Sequence, residues 1–222
     1  MINSAIILAG GNGTRMKSDI PKQFKVINNK MILEYSLKEF SNNKYIDEII
    51  LVCAKTWVNK IKKKYPYVKI VHGGKSRSES SFIGLKSCNP KTKNVLIHDS
   101  ARPLINQKII NLCIQNLTRY DTSIPIINCD DSLINTDTMQ YLNRDLIKII
   151  QTPQGFNYKK IFNAYNEILS SKSGYQNIFN DDLSLLLNYL NDVKCCFYNG
   201  NKSNFKITNK EDLIKFESLL KC

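Results

Sequence analysis

Between Leu8 and Phe24 the chain reads LAGGNGTRMKSDIPKQF. Gly10, Gly11 and Gly13 follow an apolar run, IILA, that reads as a buried strand. Glycine frees the backbone and removes side-chain bulk, so a ligand can approach main-chain N–H groups, which suit phosphate oxygens. Arg15 adds a forked donor and Lys22 a mobile point charge, and Pro21 restricts the turn between them. Together these residues read as an anion site. The site matches neither of two common phosphate loops. Met16 breaks the G-x-G-x-x-G pattern, and no Gly-Lys-Ser/Thr follows the glycines.

The elements that must position such a turn are legible as short apolar runs alternating with amphipathic segments. Strands are expected at Ala5 to Leu8, Glu48 to Cys53, Val68 to Val71, Asn94 to His98, Ser123 to Ile127, Val193 to Tyr198 and Phe205 to Thr208. Helices are expected at Ile32 to Phe40, Trp57 to Tyr65, Ser78 to Ser87, Gln107 to Tyr120, Tyr158 to Leu169, Asp181 to Leu190 and Lys210 to Leu219. Thr208 is placed to cap the last helix, with Glu211 completing a capping box. This alternation implies an α/β fold with right-handed crossovers onto a mostly parallel sheet. Sheets of that kind bind ligands beyond the carboxyl ends of their strands, so the polar residues after Leu8, His98 and Ile127 become candidates. Asn128 to Ile147 breaks the rhythm. It reads either as a surface loop or as a projecting arm that mediates dimerisation.

Composition narrows the function classes. The 222 residues and 42% hydrophobic content suit one sizeable core. The net charge of +13 suits phosphorylated substrates. Nucleic acid as a partner lacks support, because there is no Cys-x-x-Cys pair, arginine cluster or aromatic single-strand motif. Seven cysteines without motif spacing suit reduced thiols in a cytoplasmic protein. No run approaches the ~20 apolar residues of a membrane span, so no membrane partner is expected.

Four further stretches follow the glycine turn in order: GGKSRSESSFIGL from Gly73, HDSARP from His98, QTPQGF from Gln151 and SNFKITNKEDL from Ser203. With the opening motif they cover nearly the whole chain, which resembles the cytidylyltransferases of sugar-alcohol phosphates. Two groups share the pattern, acting on 2-C-methyl-D-erythritol 4-phosphate and on ribitol 5-phosphate. The resemblance implies a single Rossmann-like nucleotidyltransferase domain over 1–222, with a mixed, mainly parallel sheet. It also implies a homodimer in which the 128–147 arm helps to form the neighbour's site. The implied reaction joins CTP to a polyol phosphate with Mg²⁺, giving a CDP-polyol and pyrophosphate.

The resemblance implies roles residue by residue. Arg15, Lys22 and Lys206 act on the phosphates as catalytic residues. Ala9, Gly10, Gly11, Gly13, Arg77, Ser80 and Ser100 bind the nucleotide. Asp99, Arg102, Ser132, Lys148 and Asn180 bind the acceptor, and Asp99 reaches the metal directly or through water. The residues alone leave other readings open: Arg77 as an ion pair with Glu79 or another acid, Arg102 as an ion pair with Asp99, His98 as a buried strand-end residue, and Asp181 and Asp182 as caps. Methylerythritol-phosphate enzymes often carry Trp-Arg-Ala where this chain has Lys148, Ile149 and Ile150, and threonine where it has Asn180. LAGG, PKQF and SNFKIT look closer to the ribitol-phosphate group. The expected acceptor is therefore ribitol 5-phosphate or a related capsule or teichoic-acid precursor, with methylerythritol phosphate as the alternative. Other nucleotides, and a non-catalytic RNA-binding role, are the remaining alternatives.

Overall fold

The computed structural model describes residues 2–11, 20–170 and 179–221. Its strands, in chain order, are β1 (Ile2–Ala9), β2 (Val26–Ile27), β3 (Lys30–Met31), β4 (Glu48–Cys53), β5 (Lys69–His72) and β6 (Thr92–Asp99). They continue as β7 (Thr122–Asn128), β8 (Leu133–Asn135), β9 (Gln140–Leu142), β10 (Lys148–Ile150), β11 (Gln154–Asn157) and β12 (Cys195–Asn199). The helices are α1 (Ile32–Ser41), α2 (Val58–Lys64), α3 (Arg77–Lys86), α4 (Gln107–Asn116), α5 (Tyr158–Ser170), α6 (Asp182–Tyr189) and α7 (Lys210–Leu219).

The main sheet runs β10-β7-β11-β6-β1-β4-β5, with β12 beside β7. β1 is parallel to both β4 and β6, β5 to β4, and β12 to β7. β10 and β11 run antiparallel to their neighbours, so the sheet is mixed and mainly parallel. Alternation along β1 explains the two helix layers. Ala5, Ile7 and Ala9 join a core with Leu33, Leu37 and Phe40 of α1, Ile61 of α2 and Ile110 of α4. Ile6 and Leu8 face the other way, with Leu85 of α3, Ile161 and Tyr165 of α5 and Leu186 of α6. Gly84 lets α3 lie close on the sheet, since a Cβ there would stand 2.6 Å from Ile6 Cγ2. A third cluster joins Phe216 of α7 to Ile27, Ile32 and Ile207. Each such buried side chain contributes about 2 kcal/mol, and here they seat the segment that carries Lys206.

Three expectations need correction. Phe205–Thr208 is not a strand; its one sheet-like bond runs from Ile207 N–H to the Ala101 carbonyl, at 2.8 Å. The cap of α7 lies one residue later than expected: Asn209 accepts from Asp212 N–H, and Asp212 closes the box. α4 stops at Asn116, where turns and then the start of β7 take over, rather than at Tyr120.

The segment 128–147 is not a loose loop. β8 and β9 pair as a hairpin, Leu133 with Leu142 and Ile134 with Tyr141. An ion pair between Lys202 and Asp130 and a bond from Arg144 Nη1 to the Asp130 carbonyl fasten its base. Among the described residues, no helix is long and apolar enough to cross a membrane.

Candidate active site

A cleft of about 430 Å³ opens at the carboxyl ends of β1 and β6, the position that a parallel sheet favours for ligands. Ser100 locks the two strand ends together. Its N–H and its hydroxyl both donate to the Leu8 carbonyl, at 3.1 and 2.7 Å. Ala9, Gly10 and Gly11 form one rim of the cleft. Gly13 and Arg15 lie outside the described residues.

The glycine turn is held from behind by Gln23, a residue that motif reading passed over. Gln23 is buried, and its side-chain amide donates to the Ala9 and Gly11 carbonyls at 2.8 and 2.7 Å. Pro21 leads into the short 3₁₀ turn Lys22–Phe24 that carries Gln23. Lys22 lines the same cleft and donates to the Ile207 carbonyl.

The amino end of α3 lines the same cleft, beside the glycine turn. Ser76 caps the helix by accepting from Glu79 N–H at 3.1 Å. The Ser80 hydroxyl accepts from Gly74 N–H and donates to the Ser76 carbonyl. Ser80 is thus a brace for the Gly73–Gly74 turn as well as a lining residue. A helix start favours anions, and Ser76 and Arg77 at this end of α3 line the cleft.

Asp99, Arg77 and Lys206 meet in the lining of the cleft. Lys206 Nζ donates to Asp99 Oδ2 at 2.7 Å, and Arg77 Nε lies 3.5 Å from Asp99 Oδ1. Burial alone would raise the Asp99 pKa; Arg77 and Lys206, then Arg102, override it and hold the carboxyl well below the usual carboxylate range. Burial also works against the Arg77 charge, but Asp182 and Asp99 outweigh it and push the Arg77 pKa up. The acids that hold Arg77 are therefore Asp99 and Asp182, not Glu79. Asp182 is not the cap of α6, because Asp181 fills that role by accepting from Ser184 N–H at 2.8 Å.

A second cavity of about 160 Å³ adjoins the first and shares Arg77, Asp99 and Lys206 with it. Arg102 and Asn180 line this compartment. No ion pair within 4.0 Å joins Arg102 to Asp99 among the described residues. Arg102 instead donates to the carbonyls of Asn204, at 2.9 Å, and Ile150, at 3.4 Å, and its Nε is buried without a partner. Burial lowers its pKa, opposed by Asp99 and reinforced by Arg77. His98 is fully buried behind Asp99, as a strand-end residue. Ser132 and Lys148 line neither cavity; both are exposed, and Lys148 donates to Asn128 Oδ1 at 2.9 Å. Gln23, Thr152, Gln154 and Asp182 are the contributions that sequence reasoning missed. Gln23, Thr152 and Gln154 sit in motifs quoted above, which was the available signal; Asp182 lies outside them, in a stretch read only as helix caps.

Two anion-friendly compartments with shared cations suit the joining of two phosphorylated molecules. Comparison with known proteins agrees. A model of the family described as IspD: 2-C-methyl-D-erythritol 4-phosphate cytidylyltransferase matches residues 3–222. A protein of that name from Lachnospira eligens is 37% identical over 225 residues, covering 96% of each chain. One from Clostridium botulinum (strain Okra) is 39% identical over 228 residues, covering 98% of this chain and 97% of its own. Among solved structures, 4-diphosphocytidyl-2C-methyl-D-erythritol synthase from Anaerococcus prevotii has 32% identity and a TM-score of 0.86, covering 100% of this chain and 99% of its own. The bifunctional IspDF of Campylobacter jejuni has 28% identity and a TM-score of 0.82, covering 97% of this chain and 54% of its own. The first three of these proteins carry methylerythritol in their names, so the preference for ribitol 5-phosphate, and with it the capsule and teichoic-acid assignment, finds no support and gives way to the alternative. The chain is a cytidylyltransferase and belongs to the 2-C-methyl-D-erythritol 4-phosphate cytidylyltransferase family.

Proposed function

We propose that the chain transfers the cytidylyl group of CTP to 2-C-methyl-D-erythritol 4-phosphate, releasing pyrophosphate. The observation that carries this reading is the pair of adjoining cavities with Arg77, Asp99 and Lys206 in their common wall. It is supported by the printed names of relatives that match nearly end to end. CTP would occupy the larger cleft, with its phosphates against the glycine turn, Arg15 and Lys22. The acceptor would occupy the smaller cavity, beside Arg102 and Asn180. A phosphate oxygen of the acceptor attacks the α-phosphorus, a new P–O bond forms, and the bond to the β-phosphate oxygen breaks. The acceptor oxygen is already nucleophilic, so the protein's task is to hold two anions in line and stabilise the charge that builds on the α-phosphoryl oxygens. In this reading Lys22 and Lys206, which line the larger cleft, do so. Ala9, Gly10, Gly11, Gly13, Ser80 and Ser100 would shape the nucleotide pocket.

Among the described residues no three His, Cys, Asp or Glu side chains converge as metal ligands. Both oxygens of Asp99 are already paired with cations. This donor set fits a Mg²⁺ ion carried on the triphosphate, with Asp99 reaching it through water. Bound there, the ion would neutralise charge on the departing pyrophosphate. We further read residues 1–222 as one domain, and 128–147 as an arm that carries Ser132 and Lys148 to a second subunit's acceptor site in a homodimer.

The test is pyrophosphate release by the purified protein across a panel of four nucleoside triphosphates and two acceptors, methylerythritol phosphate and ribitol 5-phosphate. CTP with methylerythritol phosphate is the expected pair. Equal turnover of ribitol 5-phosphate would overturn the acceptor assignment, and equal use of UTP or ATP would overturn the nucleotide assignment. Lys22→Ala should lower kcat about 100-fold, the usual loss when one preorganised charge donor is removed.

A further inference from the structure

Asp182 is the most deeply buried acid beside the site, with 0% of its side chain exposed. Taking a carboxylate out of water costs several kcal/mol unless partners restore what is lost. Two partners do so. Arg77 Nη2 lies 2.7 Å from Asp182 Oδ2 as an ion pair that is not aligned as a hydrogen bond, and the Tyr165 hydroxyl donates to Oδ1 at 2.6 Å. Tyr165 is itself fixed, fully buried in α5 with its ring stacked on Phe82. Asp181 already caps α6, so the helix end does not need Asp182. Apolar residues of similar volume could pack the same gap without the desolvation cost.

What the pair accomplishes is the placement of Arg77. One end of the guanidinium is held by Asp182 from the core, and the other faces Asp99, which in turn holds Lys206. The series Tyr165, Asp182, Arg77, Asp99, Lys206 thus runs from the interior into the wall common to the two cavities. We propose that Asp182 is a positioning residue: through Arg77 it sets that wall, and so governs both the binding of CTP and the delivery of the acceptor. The acceptor half of this inference rests on the function proposed above; the CTP half does not.

The experiment is a double-mutant cycle of Arg77→Met and Asp182→Asn, read by thermal melting, calorimetric titration with MgCTP, and kcat/KM for methylerythritol phosphate. Arg77→Met should lower the melting temperature most, because it strands a buried charge, and adding Asp182→Asn should restore part of the loss. Asp182→Asn alone removes the charge of the ion pair and should weaken MgCTP binding and reduce kcat/KM by about 10-fold each. In the Arg77→Met background the same change should cost nothing further in either functional readout, because its route through Arg77 is gone. Tyr165→Phe keeps the ion pair and the ring, and should shift both readouts in the same direction by about 3-fold. It also decides the matter if Asp182→Asn does not fold.

Purely structural service predicts the reverse: altered melting temperatures, unchanged MgCTP affinity in folded variants, and losses that multiply. Unchanged affinity in folded Asp182→Asn or Tyr165→Phe protein would overturn the proposal. Should wild-type protein bind MgCTP yet leave methylerythritol phosphate unreacted, the acceptor assignment fails while the calorimetric arm still decides the role of Asp182.

Discussion

His98 shows how much a single buried side chain can fix. The Asp99 N–H donates to Thr152 Oγ1 at 3.1 Å, so the Thr152 hydroxyl proton is free to donate to His98 Nδ1, 3.0 Å away. That leaves the proton of the imidazole on Nε2, which donates to the Arg102 carbonyl at 3.1 Å. A neutral ring therefore ties together the two backbone positions that carry Asp99 and Arg102. Burial lowers the His98 pKa to about 4, against an ordinary 6.5. Below 6.5 the unfolded chain takes up a proton that the folded chain refuses. Stability is lost as pH falls through the window from 6.5 to about 4. The full window is worth about 3 kcal/mol. Denaturant melts across that window should show a shallower acid slope in His98→Gln than in the parent; equal slopes would remove His98 as the cause. Sequence made His98 legible as a strand-end residue and no more. Its partner Thr152 lies 54 residues away, and no local pattern announces the pairing. The same limit explains Asp182: two adjacent acids before a helix look like two caps, and only the packing of α3 against α5 shows which one turns inward.

At the scale of elements, the parallel strands β1, β4, β5 and β6 were legible because each contains a run of branched apolar residues. β11 was not. Its sequence, Gln-Gly-Phe-Asn, has no such run, and it is a strand because β6 and β7 supply partners on both sides. Phe205–Thr208 is the opposite case: its alternation suits a strand, yet only Ile207 finds a sheet-like bond, and the side chains there serve the α7 cluster and the cleft. The glycine turn also depends on an element outside itself. The two carbonyls that Gln23 satisfies stand on either side of Gly10, so Gln23 fixes the turn's path by using both protons of one amide. Gln23→Leu keeps the bulk and removes both donors. It should weaken MgCTP binding about 10-fold and destabilise the fold by about 2 kcal/mol, the cost of two lost hydrogen bonds in a buried setting. Calorimetry and denaturant melts measure the two effects separately. Full affinity in the variant would mean that the turn holds itself.

Taken as a whole, the molecule buries most of its apolar residues in two layers against the sheet and in the α7 cluster, and the three most exposed large apolar side chains among the described residues lie on the arm. On the arm Tyr141 is 78% exposed, Met139 71% and Leu146 79%. Among the described residues the hairpin β8–β9 pairs only with itself, and a hairpin of that size gains little stability alone in water. In the homodimer proposed above, a second copy of the chain covers this surface, and the same docking brings Ser132 and Lys148, which line neither cavity of their own subunit, to an acceptor site. This arrangement makes a prediction that simple dimerisation does not. Let one subunit carry Lys22→Ala and the other Ser132→Ala with Lys148→Ala, so that each homodimer is impaired at both of its sites. In a mixed dimer, one site then combines an intact Lys22 with an intact arm from the neighbour. Statistical mixing yields half mixed dimers with one working site of two, so about a quarter of wild-type turnover should return. If each arm serves its own subunit, mixing restores nothing. A sedimentation measurement that finds only monomer at assay concentration would exclude the shared site as well.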